Sequence, residues 1–271
     1  YAYVPDVGGN DGENSPGRDD FIGTSLRVIS IADPGNPVEV GFVEIEESAN
    51  GIAVSGDYAY IAAHESGLRI IDIRNPQNPQ EVSCFNTPGS ANGVAVSGNY
   101  AYVADMESGL RIIDVSNPEN PEEAGNCDTP VSAFNVFVAG DIAYIADLQG
   151  GLRVIDVSNP DNPEEVGVFN EGEMNILDVT VSRHFAYLAD FAGGLRIIDV
   201  NNPENPVEVG FYEVAEASRI DVCGDHAYVA DAGSGLHIIF IGDPEHPEEA
   251  GFYDTGGSVL GVIISGDVAY V

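Results

Sequence analysis

The chain contains no tryptophan and no lysine: all nine of its basic residues are arginines, set against 45 Asp and Glu for a formal net charge of −36 over 271 residues. So little positive charge leaves a surface that repels phosphate backbones and anionic headgroups, which argues against nucleic acid and membrane-surface partners. No apolar run approaches the ~20 residues that would cross a bilayer, so no membrane insertion is expected. Cysteine is scarce as well: Cys84, Cys127 and Cys223 leave at least one free thiol. Cys84 and Cys127 occupy corresponding segments of neighbouring repeats, at the outer strands, which usually lie farther apart than the ~5.5 Å between Cα atoms that a disulfide needs. Cys223 stands where other repeats have Ser55 and Ser97, as a small buried or turn residue. No Cys/His spacing suggests a metal site. The chain opens on Tyr1 without an initiator Met or a visible signal peptide, and is expected to be a processed or trimmed piece of a longer polypeptide.

What the sequence has in abundance is itself. A Leu-(Arg/His)-(Ile/Val)-Ile stretch places its leucine at Leu26, Leu68, Leu110, Leu152, Leu195 and Leu236, at steps of 42, 42, 42, 43 and 41 residues. A second motif, Ala-Tyr-(Val/Ile/Leu), places its tyrosine at Tyr3, Tyr60, Tyr102, Tyr144, Tyr187, Tyr228 and Tyr270. Several short strands recurring at ~40–45 residues is the pattern of a β-propeller. One unit reads as four strands. Gly93–Ser97 alternates, Gly98-Asn99 turns, and Tyr100–Ala104 is rich in aromatic and β-branched residues. Leu110–Val115 is apolar on both faces, as a strand between two neighbours should be. Ser116–Pro121 cannot continue a ladder, because proline has no N–H and holds the residue before it extended. Glu122–Asn126 begins an outer strand, where the acidic residues Glu122, Glu123, Glu164, Glu165, Glu248 and Glu249 would block edge-to-edge pairing.

The expectation is one all-β propeller domain over residues 1–271, with six ~42-residue repeats and four-stranded antiparallel blades. Six blades close most economically if Gly261–Ser265 completes the N-terminal blade; that leaves Val268–Val271 surplus, competing with Tyr1–Val4, starting a seventh blade or pairing with another molecule by strand addition.

The segments LRIIDVSNPENPEEAG and SANGVAVSGNYAYVAD resemble the LVIVD-repeat proteins, over essentially the whole chain. The resemblance implies a secreted or cell-surface propeller with a binding or structural role. It carries no catalytic residues across, since the family shares no catalytic site.

Where repeats depart from their consensus, function is more readily sought. The step from Tyr3 to Tyr60 is 57 residues, and the excess lies in an acidic loop over residues 6–20. Its Asp6, Asn10, Asp11, Glu13, Asp19 and Asp20, with Asn14 and interspersed glycines, offer the oxygen ligands and the wrapping backbone that Ca²⁺ requires, without EF-hand spacing. The plain alternative is a solvated loop. Along the first strands, Gly51, Gly93, Asn135, Asp178, Arg219 and Gly261 align, with Asp221 two residues on from Arg219. Asn135, Asp178, Arg219 and Asp221 would bind a small polar ligand, or fill the channel as an Asp–Arg ion pair. Asp6, Asp105, Asp147, Asp190 and Asp231 close the second strands, and Arg27, Arg69, Arg111, Arg153 and Arg196 recur on the third, with His237 in place of the sixth. A repeated Asp–Arg pair pinning each hairpin accounts for both series. The five histidines sit at unrelated repeat positions, and no nucleophile elbow, zinc-spaced His pair or phosphate loop is present.

These readings order as a non-enzymatic extracellular structural or interaction module, with protein partners or self-association through rim or terminal strands and no cofactor. The alternative is a module that binds Ca²⁺ or a small ligand, and behind it stands a hydrolase built on carboxylates.

Overall fold

In the computed structural model, which describes residues 1–6, 24–45 and 47–271, the chain is all-β, with no helix among the described residues. It divides into two compact units, Tyr1–Ala124 and Gly125–Val271.

The first unit opens with a three-stranded sheet, β1 (Ala2–Asp6), β2 (Thr24–Ser30) and β3 (Val38–Ile45), in that order. A four-stranded blade follows: β4 (Gly51–Ser55), β5 (Tyr58–Ala62), β6 (Leu68–Asp72) and β7 (Gln80–Phe85). The next blade is β8 (Gly93–Ser97), β9 (Tyr100–Ala104), β10 (Leu110–Asp114) and β11 (Glu122–Cys127), and the division between the units falls within β11. The second unit holds three more blades. They are β12 (Asn135–Ala139) to β15 (Glu164–Phe169), with β13 (Ile142–Ala146) and β14 (Leu152–Asp156) between; β16 (Ile176–Ser182), β17 (Phe185–Asp190), β18 (Gly194–Asp199) and β19 (Val207–Glu213); and β20 (Ala217–Cys223), β21 (His226–Asp231), β22 (Gly235–Phe240) and β23 (Glu248–Tyr253). Each is a simple antiparallel meander, so the fold is the β-propeller type that the repeat predicts.

The unit ends in a two-stranded sheet, β24 (Ile263–Ser265) with β25 (Val268–Tyr270). The strand expected to complete the N-terminal blade thus pairs with its sequence neighbour through a turn at Gly266 (φ +60°), and the N-terminal sheet holds three strands. A two-residue hairpin closes a far shorter loop than pairing across the whole chain.

The core lies between consecutive blades. Tyr60, Leu68 and Ile70 pack against Ala91, Val103 and Ile113 of the next blade, and Tyr187, Leu195 and Ile197 against Ile220, Val229 and Ile239. This is why the third strand is apolar on both faces. The aspartate that ends it has a separate task. Asp72, Asp114, Asp156 and Asp199 each accept the N–H two residues on, at 2.8–2.9 Å, turning the chain into the Asn-Pro loop. Hydrogen bonds from the Ser116 and Ser158 side chains, and then these backbone bonds, hold the carboxyls of Asp114 and Asp156 below the ordinary range.

A second device repeats in the fourth strand. In five of the sheets the ladder shifts register by one residue there, opposite the Ile-Ile pair or its equivalent on the Leu-(Arg/His)-(Ile/Val)-Ile strand. A glycine beside that bulge (Gly167, Gly210) lies directly under the Asn-Pro or Asp-Pro loop of the following blade.

Candidate functional site

The first-strand residues singled out by the sequence come together in the second unit. Asn135, Asp178 and Arg219 hold equivalent positions, opposite Ala146, Ala189 and Ala230. The first strand is the open edge of each blade, so its N–H groups need acceptors from elsewhere. Asp178 supplies one. It is buried, its Oδ1 accepts from Asn135 Nδ2 and from the Val179 N–H (2.9 Å), and its Oδ2 accepts from the Ile220 N–H (2.9 Å). One carboxylate therefore links β12, β16 and β20. Asp221 repeats the device, accepting from Val222 N–H (2.8 Å) and from Ile264 N–H of β24 (2.7 Å).

Arg219 does not form the expected ion pair with Asp178. Its Nη1 donates to Ser218 O (3.0 Å) and its guanidinium lies 5.5 Å over the ring of Phe134. Its charge is near enough to favour the ionised Asp178, as are the three donors, but burial outweighs them and holds the Asp178 carboxyl above the ordinary range.

The aspartates closing the second strands are buried: Asp105, Asp147 and Asp190 are inaccessible and Asp231 is 2% exposed. Each caps a loop. Asp105 accepts from Thr87 Oγ1 (2.5 Å) and Gly89 N–H (2.8 Å), Asp147 from Thr129 Oγ1 (2.8 Å), Asp190 from the N–H groups of Asn175 (2.9 Å) and Ala192 (3.1 Å). Burial pushes the Asp105 carboxyl up.

The Asp–Arg pair forms at Asp190–Arg196 (2.7 Å) and, longer, at Asp147–Arg153 (3.4 Å). The arginines also reach further than the sequence suggested. Arg27, Arg69, Arg111, Arg153 and Arg196 pair with Glu39, Glu81, Glu123, Glu165 and Glu208 on the fourth strand, and His237 with Glu249. One glutamate of each outer acidic pair is thus a partner of the blade interior and the other is a solvated edge charge. Arg196→Met is expected to cost about 3 kcal/mol, because it strands the inaccessible Asp190 carboxylate. Melting should fall by roughly 6–12 °C, whereas Arg74→Met, at an exposed pair with Asp72, should leave melting unchanged. Equal shifts would show that the ladder carries no more than a surface pair.

The last complete blade departs from its sisters. An open cleft of about 680 Å³ is lined by Ala232, Gly233, Ser234, Phe252, Asp254 and residues 256–258. His237 lies beside Ser234 and Phe252: its Nε2 stands 3.4 Å from Ser234 Oγ, and its ring centroid lies 4.8 Å from that of Phe252. The sequence reading passed over this place; its signal was the loss of the repeated arginine.

Of the proposed Ca²⁺ loop, Asn10, Asp11, Glu13, Asn14, Asp19 and Asp20 lie outside the described residues, and Asp6 closes β1. Among the described residues no group of three His, Cys, Asp or Glu is arranged to hold a metal ion. The three cysteines are free, and Cys223 is exposed at the turn opposite His226, so the turn reading applies and the buried one does not.

The LVIVD repeat family model matches residues 47–87, 88–129, 132–171, 175–214 and 215–255. No curated protein matches the chain. Among solved structures, the crystal structure of the computationally designed Ika8 protein is similar with a TM-score of 0.70, over 90% of this chain and 73% of that one, at 9% identity. That of the computationally designed Ika4 protein has a TM-score of 0.50, over 60% of this chain and 99% of that one, at 11% identity. At such identities the likeness is one of fold.

Proposed function

This chain belongs to the LVIVD-repeat family, and we propose that it is a non-enzymatic structural and interaction module on the outside of a cell, acting through protein contacts that include self-association. The observation that carries this reading is where the charged groups go. The repeated aspartates, arginines and inner glutamates are engaged with one another and with backbone N–H groups, so the polar interior of each blade serves the scaffold. The surface left over is acidic and carries exposed aromatics on the outer strands, Phe42, Phe211 and Phe252 among them, a composition suited to contact with other proteins. Within its two-stranded sheet β25 pairs with β24 alone, which supports strand addition as the mode of self-association.

Light scattering on the native protein, with calcium and with chelator, tests the proposal. Assemblies larger than the 28.5 kDa monomer are expected, and deletion of Val268–Val271 should abolish them. A monomer under every condition, or assemblies indifferent to the deletion, would sink self-association by strand addition. Loss of assembly in chelator would place calcium, through the acidic loop of residues 6–20, at the joint.

A further inference from the structure

The blade β20–β23 lacks the arginine that its sisters carry, and we infer that the cleft beside it takes a guanidinium from outside: the arginine side chain of a partner protein. The inference deepens the interaction reading by naming what one surface recognises.

The sister blade β16–β19 shows how such a group is held. The Arg196 guanidinium lies 5.4 Å over the Phe211 ring. Its Nε donates to Asp190 Oδ2 (2.7 Å) and its Nη1 to Glu208 Oε2 (2.8 Å), and its Nη2 lies 3.4 Å from where a Cβ on Gly193 would stand. The same cradle recurs one repeat on. Register places Phe252 opposite residue 237 as Phe211 is opposite Arg196, and Asp231, Glu249 and Ser234 occupy the places of Asp190, Glu208 and Gly193.

In that cradle His237 is too short. Its Nδ1 keeps Glu249 (3.1 Å), but its Nε2 stops 3.6 Å from Asp231 Oδ2, beyond hydrogen-bond length. Asp231 is 2% exposed; its Oδ1 accepts from the N–H groups of the cleft residues Gly233 (2.7 Å) and Ser234 (3.1 Å), while its Oδ2 accepts no hydrogen bond from the described residues. At the place where the sister blade puts Arg196 Nε at 2.7 Å from its aspartate, this blade leaves Asp231 Oδ2 with only the longer 3.6 Å contact to His237. Phe252 is 48% exposed and lines the cleft with Ser234 and Asp254. An aromatic face beside carboxylates is the chemistry that selects a planar, weakly hydrated cation over an ammonium. The net charge of −36 draws a basic partner in.

The test uses N-acetyl-L-arginine methylamide as probe, followed by amide NMR shifts and calorimetry on the native protein. Saturable shifts are expected at Gly233, Ser234, Phe252 and Asp254, weakening with salt, with the lysine analogue binding at least about tenfold more weakly. His237→Arg restores the residue of the other repeats; it should melt no lower than the parent and lose probe binding. Phe252→Ala with Asp254→Asn should weaken binding by about tenfold or more. A parent protein without saturable cleft shifts, or a His237→Arg protein that binds as the parent does, overturns the inference. Neither result depends on assembly, so failure here is separable from failure of the light-scattering test.

Discussion

Gly210→Ala is expected to lower the melting temperature by roughly 6–12 °C, a loss of about 3 kcal/mol, while Gly251→Ala leaves it unchanged. The two glycines hold the same place in consecutive blades, beside the bulge of the fourth strand. A Cβ on Gly210 would stand 1.9 Å from the carbonyl oxygen of Pro244 in the next blade's loop. That neighbour is backbone, held by a turn with two prolines nearby, and cannot swing aside as a flexible side chain would. A Cβ on Gly251 would meet only Ile238 Cδ1, at 3.8 Å. The second blade shows the contact from the other side: Ser83 replaces the glycine there, and its hydroxyl donates to Pro118 O at 2.5 Å. A Cβ is therefore seated in that blade, whose hydroxyl bond to the carbonyl offsets part of its cost, whereas at Gly210 the next loop's carbonyl stands only 1.9 Å from the Cβ position and alanine brings no such bond. Thermal melts of the two variants decide it. If they coincide, the glycine is a strand-bulge preference and has no part in seating one blade on the next.

How much of this was legible follows from the range of each interaction. The strands read well because their signals are local. Leu110–Val115 and Glu122–Asn126 were expected and Leu110–Asp114 and Glu122–Cys127 are observed, each bounded by turn chemistry a few residues away. The fourth-strand glycine was visible as a repeated letter without a reason, because its reason is a proline carbonyl about 35 residues on. The Arg–Glu pairs were missed for a related cause. Glu208 lies 12 residues from Arg196 and adjoins it only through the register that the bulge sets, and edge-strand charge seemed explanation enough. The closing strand was misassigned because type was read correctly and partner was not: β24 has the pattern of a first strand, and a pattern does not say which second strand it takes.

The first-strand cluster shows the same limit, and there the largest effect from one side chain is expected. Asp178→Ala should cost about 3–5 kcal/mol, the range for removing one partner of a buried charged network, because it leaves the N–H groups of Val179 and Ile220 and the Asn135 amide without their acceptor. The sequence offered Arg219 as partner since side chains are what a sequence displays, whereas two of the three donors are backbone. The pH dependence separates the forces involved. Burial is the largest influence on the Asp178 carboxyl and raises it above 3.8, against Arg219 and the three donors. A carboxyl raised in the folded state binds its proton more tightly there than in the unfolded chain. Its contribution is therefore full below the unfolded value and is lost as pH climbs through the folded one. The stability gap between the parent and Asp178→Ala should accordingly be widest below pH ~4 and narrow towards neutrality, read from denaturant midpoints at matched ionic strength. A gap that widens as pH rises would mean that the donors and Arg219 outweigh burial, and that the clamp is held by charge and not in spite of it.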